Sequence, residues 1–202
     1  MTDITKEIQH WDAAAKSDTT ALHNAIFGGP KLDEEFDRKT MQYVLRWMPH
    51  QGTILDLGCG IGRMAFPMAT LRPEAKVIGL DISEAMLELA RKPFLPENLT
   101  LVKGDGVHLP EDCPLDAAYS VAVMQHLPAE VVKGYLQQMA RKLVSGGVFV
   151  FQFVRGDYQF FLSQAIPIDT MRQWVTEAGL NIAETNIDYP YENWVWMVVR
   201  KP

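Results

Sequence analysis

The sequence predicts an α/β fold: five parallel strands separated by helices, closed by a C-terminal antiparallel hairpin and preceded by a helical N-terminal cap. Between residues 51 and 154, short apolar runs rich in β-branched residues alternate with helical patterns. This alternation is typical of βαβ units whose sheet is buried on both faces. Residues 1–50 show helical patterns, and two extended segments near the C-terminus have a connection short enough to require antiparallel pairing.

The N-terminal cap, residues 1–50, is predicted to form amphipathic helices with a break at Gly28-Gly29-Pro30. Within residues 32–48, one helical stripe is apolar and contains Leu32, Phe36, Tyr43, Val44 and Trp47. Pro49 and Gly52 are expected to end this segment.

The core, residues 51–154, follows the βαβ pattern. Strands are predicted at residues 53–57, 76–80, 99–103, 117–121 and 148–154, and helices at residues 63–71, 84–91 and 129–143. Ser83 is expected to cap the second of these helices, and Gly146-Gly147 to stop the third. Pro67 has no backbone N–H to donate, so we expect a kink or a late start in the first.

The last segment, residues 155–202, is predicted to contain a helix at residues 170–178 that ends at Gly179. Strands are expected at residues 181–187 and 194–199, with turn-forming residues between them. Residues 155–168 show no clear element. Together the three parts are expected to make a single domain.

Composition excludes several classes of protein. The 202 residues are 48% apolar and carry a formal net charge of −6, so we expect no nucleic-acid partner, because that affinity comes from clustered Lys and Arg. No apolar run approaches the ~20 residues that span a bilayer, and the polar N-terminus lacks the apolar region of a secretory signal. Two cysteines, Cys59 and Cys113, predict neither a disulfide framework nor a metal site. We therefore expect a cytoplasmic globular protein.

The most informative motif is the glycine loop after the first strand, Ile54-Leu55-Asp56-Leu57-Gly58-Cys59-Gly60-Ile61-Gly62-Arg63. Glycine is needed where a backbone turns tightly and touches a ligand without an intervening Cβ. Loops at the carboxyl ends of parallel strands are where such sheets bind ligands. The spacing Gly60-x-Gly62-x-x-Ala65 also matches a dinucleotide fingerprint, so the loop alone leaves two ligand classes open.

Acidic residues favour a nucleoside over a pyrophosphate. Asp56 precedes the first glycine, where it would repel phosphate. Asp81 ends the second strand, where a carboxylate can accept hydrogen bonds from both ribose hydroxyls. Asp105 ends the third strand and can accept from an exocyclic amine. One acid at the end of each of three strands predicts a nucleoside with a cationic tail.

The run Leu55-Asp56-Leu57-Gly58-Cys59-Gly60-Ile61-Gly62 resembles motif I of the class I S-adenosylmethionine-dependent methyltransferases. The later landmarks follow in that family's order, namely Asp81, Gly104-Asp105-Gly106, the region 116–127 and Leu143-Val144-Ser145-Gly146-Gly147. The resemblance covers residues 50–154 and implies a Rossmann-like seven-stranded sheet that binds S-adenosylmethionine and releases S-adenosylhomocysteine.

The resemblance also implies roles for individual residues. Motif I, with Gly58, Cys59 and Gly60, would lie against the methionyl part of the cofactor, and Asp56 near its ammonium; a structural acid is the alternative for Asp56. The remaining assignments are Asp81 for the ribose, Ile82 for the adenine ring, Asp105 with Gly106 and Val107 for the adenine amine, and Val121 with Ala122 for the methionyl end.

Two residues of the cap are further cofactor candidates. Arg38 shares a face with Met41 and Leu45, from which its guanidinium could reach the methionyl carboxylate; its spacing to Gly58 is similar to that in quinone-pathway O-methyltransferases. A solvated arginine paired with Glu34 or Glu35 is the alternative. Trp11 could cover the sulfonium by a cation–π contact or belong to the core.

Direct displacement from a sulfonium requires alignment and exclusion of water, and a general base is optional. His126, after the fourth strand, is the best base candidate, with a role in bracing the loop as the alternative. The family's amino-directed signature is absent from Val121-Ala122-Val123-Met124, which argues against base-amine and glutamine methylation. Two aromatic groups are expected to cover the cleft and favour a small acceptor: Tyr158, Phe160 and Phe161, and Tyr189, Tyr191 and Trp194.

The leading interpretation is a methyltransferase that acts on oxygen or nitrogen of a small-molecule metabolite. An NAD(P)-dependent oxidoreductase and a non-catalytic cofactor-binding module are the alternatives. The sequence does not fix an oligomeric state.

Overall fold

The computed structural model describes residues 4–17, 34–111, 113–156, 165–187 and 194–202. Its helices are α1 (Ile4–Ala15), α2 (Glu34–Leu45), α3 (Ala65–Leu71), α4 (Glu84–Ala90), α5 (Ala129–Lys142) and α6 (Ile168–Glu177), with a 3₁₀ turn at Met124–His126. Its strands are β1 (Gly52–Leu57), β2 (Ala75–Asp81), β3 (Leu99–Lys103), β4 (Leu115–Ser120), β5 (Leu143–Val154), β6 (Asn181–Asn186) and β7 (Trp194–Arg200).

These strands form one seven-stranded sheet in the order β3-β2-β1-β4-β5-β7-β6. Strands β1 to β5 pair in parallel, and β7 is antiparallel to both β5 and β6. The predicted fold class is confirmed. The strand order reverses between β1 and β4, and such a reversal leaves a crevice at the carboxyl ends of the strands.

Both faces of the sheet are buried, because side chains alternate between two apolar layers. Leu55 of β1 belongs to the layer covered by α5 and α6, which contribute Leu136 and Val175. The next residue back, Ile54, belongs to the opposite layer, where α2 and α3 contribute Val44 and Met68. All six side chains are fully buried, so strands of continuous apolar sequence are what this architecture requires.

Two element boundaries depart from simple patterning. The helix containing Pro67 begins at Ala65, two residues after the predicted start. Pro67 therefore lies in the first turn, where a backbone N–H has no partner within the helix, and the predicted late start is confirmed. The predicted stop at Gly146-Gly147 is wrong: α5 ends at Lys142 and β5 begins at the next residue, with Leu143 paired to Leu115 of β4.

Helix α1 is anchored to the N-terminus of α4. Ser83 Oγ donates to Asp12 Oδ1 at 2.5 Å, and the N–H of Ala85 lies 3.4 Å from the same oxygen. Ser83 Oγ also accepts from the N–H of Met86 at 3.1 Å, which confirms the predicted cap. An acidic side chain from α1 thus meets the positive end of α4.

Helix α2 is held by contacts at its C-terminal end. The Arg72 guanidinium donates to the carbonyl of Leu45 at 2.8 Å, and Tyr43 and Arg46 both donate to Glu184 of β6 at 2.7 and 2.6 Å. The predicted break at Gly28-Gly29-Pro30 lies outside the described residues. In the part of the chain that the structure describes, no helix has the length and apolarity to cross a membrane.

Candidate functional site

A cleft of about 1040 Å³, partly open to solvent, lies at the carboxyl ends of β1, β2 and β4 beneath α1. It occupies the crevice that the strand order creates. Among the predicted site residues, its lining includes Trp11, Asp56, Gly58, Cys59, Gly60, Asp81, Ile82, Gly106, Val121, Ala122 and His126. The topology therefore brings together residues that are separated by up to about a hundred positions.

The glycine loop forms one wall of the cleft. The N–H groups of Gly58 and Cys59 both donate to the carbonyl of Leu80, at 2.7 and 3.0 Å. Gly58 has φ of +80°, and a Cβ there would lie 2.3 Å from Val123, so glycine is required for both conformation and space. A Cβ on Gly60, whose φ is +52°, would meet no atom within 4 Å. Gly60 thus presents bare backbone to open space, which is what a closely bound ligand needs.

Asp81 faces this loop from the end of β2, and backbone donors hold its carboxylate. Oδ2 accepts from the N–H of Gly60 at 2.7 Å, and Oδ1 accepts from the N–H of Ser83 at 2.8 Å. Burial raises the pKa of Asp81, and these hydrogen bonds oppose that rise. Because the carboxylate uses the Gly60 donor and would repel phosphate, the arrangement disfavours a pyrophosphate.

Asp56 lies at the floor of the cleft and is only 2% exposed. Its Oδ2 accepts from the Tyr119 hydroxyl at 3.1 Å. Burial is the main cause that raises the pKa of Asp56 to about 7; the Tyr119 hydrogen bond and Arg63 lower it. A carboxyl with this pKa changes charge readily when a cation arrives beside it.

The segment after β4 forms the opposite wall. Ala122 has φ of +58°, a left-handed conformation that costs a residue with a Cβ about 1–2 kcal/mol. Its N–H lies 3.3 Å from Oε1 of Gln152, which is fully buried. Such strain tends to occur at functional sites, where it fixes the backbone beside a ligand. Val121 and Cys59 also line the cleft but are themselves largely buried, and burial raises the pKa of the Cys59 thiol.

His126 lies in the 3₁₀ turn beyond this strained position. Burial is the main cause that lowers its pKa to about 4, with a contribution from His10. The imidazole is therefore neutral at pH 7, and its buried Nδ1 has no hydrogen-bond partner in the described part of the chain. The Trp11 ring packs perpendicular to it at 5.2 Å between centroids.

Three predicted site residues lie away from the cleft. Arg38 is exposed and donates to Gln42 at 3.2 Å. Asp105 accepts from the backbone N–H groups of Val107 and His108 at 2.9 and 2.8 Å, and its Oδ2 lies 2.5 Å from Nδ1 of His108. Burial raises the pKa of Asp105, but the hydrogen bonds from His108 and the backbone outweigh it and lower the pKa overall. Val107 lines a separate groove with His108. Their binding roles stay predictions.

Three residues that sequence reasoning missed also line the cleft: Glu7, Arg63 and Tyr135. Arg63 follows the glycine loop directly and forms an ion pair with Asp37 of α2. Glu7 lies one helical turn before Trp11, and this i, i+4 spacing indicates that the two side chains share a face of α1. Tyr135 is a core residue of α5 whose spacing gave no functional signal.

The predicted aromatic cover is described only in part. Tyr158, Phe160, Phe161, Tyr189 and Tyr191 lie outside the described residues. Trp194, the sixth, is the first residue of β7 and is half-buried.

Comparison with known proteins agrees with this geometry. Residues 54–147 match the family model of a methyltransferase domain. The chain is 40% identical over 98 residues to a trans-aconitate 2-methyltransferase of Methylobacterium radiotolerans, an alignment that covers 48% of this chain and 36% of the relative. It is 28% identical over 167 residues to an O-methyltransferase of Pyrenophora dematioidea, covering 73% and 61%. The chain spans less than half the length of its trans-aconitate relatives.

Solved structures share the fold. Magnesium protoporphyrin IX methyltransferase from Synechocystis PCC 6803, with bound S-adenosylmethionine, superposes with a TM-score of 0.75 at 18% identity, over 100% of this chain and 98% of that one. A glycopeptide N-methyltransferase complexed with S-adenosylmethionine superposes with a TM-score of 0.67 at 16% identity, over 83% and 94%.

Proposed function

We propose that this chain is a class I S-adenosylmethionine-dependent methyltransferase and that it transfers a methyl group from S-adenosylmethionine to oxygen or nitrogen of a small-molecule metabolite. One observation carries the proposal. Bare backbone at Gly60 faces open space beside two carboxylates, Asp56 and Asp81, in a cleft of about 1040 Å³. That is the chemistry expected of a site for a nucleoside with a cationic tail.

The residues present fit this cofactor. Gly58 and Gly60 would lie against its methionyl part, Asp56 near its ammonium and Asp81 on its ribose hydroxyls. When bound, the cofactor supplies an electrophilic methyl group and its own leaving group. Asp81 is held by two backbone donors before any ligand arrives, so little ordering is needed when it binds.

The segment after β4 would align the acceptor. Ala122, fixed in its left-handed conformation, and the neutral imidazole of His126 border the part of the cleft beneath α1. Because the pKa of His126 is about 4, the imidazole is a weak base. This favours an acceptor that needs little proton removal, or a His126 role in orientation, over strong general-base catalysis.

The trans-aconitate 2-methyltransferase relatives suggest a carboxylate acceptor as a second candidate. Arg63 is the feature that favours it, because a guanidinium suits carboxylates. However, Arg63 is ion-paired with Asp37, and three acidic side chains line the same cleft. The charge of the described lining therefore weighs against a polycarboxylate.

Isothermal titration with S-adenosylhomocysteine and with NADH tests the cofactor assignment. We expect micromolar binding of S-adenosylhomocysteine and none of NADH. The reverse result would overturn the proposal and restore the oxidoreductase alternative. Transfer of labelled methyl groups to a metabolite panel then tests turnover; cofactor binding without transfer to any member would favour the non-catalytic module.

A further inference from the structure

Glu7, Trp11 and His126 form a polar cluster at the end of the cleft beneath α1. Glu7 and Trp11 are one helical turn apart on α1 and lie on the same face. The Trp11 indole N–H donates to the Glu7 carboxylate, while the Trp11 ring packs against His126 at 5.2 Å. The helix thereby places the Glu7 carboxylate in the lining of the cleft, hydrogen-bonded to a ring that packs against His126.

Among the residues that the structure describes, two atoms of this cluster are buried and have no hydrogen-bond partner: Oε2 of Glu7 and Nδ1 of His126. Leaving a buried polar group unsatisfied costs roughly 1–3 kcal/mol, and more for a charged one. The Trp11 N–H donates to the Glu7 carboxylate but leaves its Oε2 without a donor. An ionised carboxylate accepts hydrogen bonds and cannot donate them, so the missing partner must bring a donor.

The charges around this end of the cleft specify the donor further. Of the described lining residues, Glu7, Asp56 and Asp81 are acidic and Arg63 is basic. Arg63 is ion-paired with Asp37, and neutral His126 adds no charge at pH 7. Asp56 and Asp81 lie on the wall of the glycine loop and are assigned to the cofactor, so Glu7 is the acidic side chain of the described lining that is left for an acceptor. An excess of one sign of charge in a cleft concentrates ligands of the opposite sign.

We propose that the methyl acceptor carries an ammonium or another organic cation, and that Glu7 binds this group while Trp11 holds the carboxylate in place. The inference rests on the proposed function and adds the class of acceptor. Glu7 is a specificity-determining residue, since the cationic group need not be the atom that receives the methyl.

The experiment uses three probes of similar shape and different charge: benzylamine, benzyl alcohol and benzoate. Each is titrated by NMR at pH 8 into the full chain, with and without saturating S-adenosylhomocysteine. We expect protonated benzylamine to bind at least about tenfold more tightly than the other two, and Glu7→Gln to reduce this preference to about twofold or less. Glu7→Gln keeps the Trp11 hydrogen bond, so it is expected to fold.

Glu88→Gln is the matched control, because it removes the same formal charge from an exposed position on α4. It should leave the order of the probes unchanged. Trp11→Phe removes the N–H that holds Glu7 and should weaken benzylamine binding less than Glu7→Gln does.

Either of two outcomes would overturn the inference: benzoate binding as tightly as benzylamine, or an unchanged preference in Glu7→Gln. Weaker binding of S-adenosylhomocysteine in Glu7→Gln, with the probe order intact, would overturn it too, because Glu7 would then belong to the cofactor. Failure of the proposed function is a separate result: wild-type protein would not bind S-adenosylhomocysteine at all.

Discussion

The two walls of the cleft differ in how completely their polar groups are satisfied. On the wall formed by β1 and β2, the Asp81 carboxylate and the N–H groups of Gly58 and Gly60 all have backbone or carboxylate partners. On the wall formed by α1 and the segment after β4, Glu7 and His126 each have a buried atom without a partner among the described residues. The polar groups of the first wall are therefore paired within the protein, whereas two on the second wall have capacity for a further hydrogen bond.

The contrast extends to the backbone and to the residues behind it. On the second wall, the backbone of Ala122 is strained, and its N–H donates to Oε1 of Gln152. The Nε2 of the same Gln152 side chain is buried and has no partner among the described residues. The first wall accommodates its positive φ angles with glycine at no steric cost. We infer that the first wall serves a ligand common to many enzymes of this fold, and that the second discriminates among acceptors.

Asp56→Asn tests how much folding stability is lost when the buried carboxyl of the first wall ionises. The folded pKa of about 7 lies above the ordinary aspartate pKa of 3.8, so between these values the native state keeps a proton that the unfolded chain has lost. Stability from this group is therefore highest at acidic pH and falls as pH rises toward 7. We expect Asn to stabilise the protein by about 2–3 kcal/mol more at pH 8 than at pH 5.

Urea unfolding at the two pH values measures this difference directly. His126 is present in both proteins, so its own titration cancels. A gain in stability that is the same at both pH values would show that Asp56 does not titrate in this range.

Asp81→Ala should weaken binding of S-adenosylhomocysteine by more than ~1.5 kcal/mol, since the ribose hydroxyls would lose a charged acceptor. Isothermal titration measures the dissociation constant, and thermal unfolding confirms that the Gly60 loop survives the loss of its carboxylate partner. Glu88→Ala, on the exposed face of α4, should bind as the wild type does. An unchanged constant in Asp81→Ala would refute the ribose assignment.

His126→Gln moves the test to the second wall. We expect lower methyl transfer, on the order of tenfold, with the affinity for S-adenosylhomocysteine unchanged, because a positioned imidazole acts on the acceptor and not on the cofactor. Steady-state kinetics with any acceptor found in the panel supplies the measurement. A wild-type rate would demote His126 to a structural residue.

Acid unfolding gives a second readout of His126. Its folded pKa of about 4 lies below the usual 6.5, so the unfolded chain binds the proton first and stability is lost as pH falls from 6.5 toward 4. The Gln variant should lose less stability over this interval.

Ala122→Gly should have the smallest effect. Glycine adopts the left-handed conformation freely but has a more disordered unfolded state, so the net gain in stability is up to about 1 kcal/mol. Thermal unfolding measures it. A destabilised glycine variant would mean that the Ala122 side chain contributes more through packing than its backbone costs through strain.

The first wall could be predicted from sequence because its determinants are local. The glycine loop and Asp81 each follow directly from a strand, and parallel strands bring their carboxyl ends together. The cap at Ser83 and the late start at Pro67 were predictable for the same reason.

The second wall could be predicted only in part. Trp11, Val121, Ala122 and His126 were expected at the site, whereas the place of Glu7 depends on how α1 docks and has no local signal. Likewise, the position of Asp105 after β3 does not indicate that His108, three residues on, will donate to its carboxylate; the nucleoside role of Asp105 stays a prediction. Local pairing of this kind competes with ligand contacts and is invisible in a strand-end pattern.

Ser83 joins three parts of the molecule: its hydroxyl donates to Asp12 of α1 and accepts from the N–H of Met86 of α4, and its backbone N–H donates to Asp81. The side chain is wholly enclosed. Saturation mutagenesis should therefore find that almost every substitution of Ser83 lowers stability. Threonine is the expected exception, because it keeps the hydroxyl, provided that its extra methyl group fits. A residue that resembles an ordinary helix cap thus also anchors α1, the helix that carries Glu7 and Trp11.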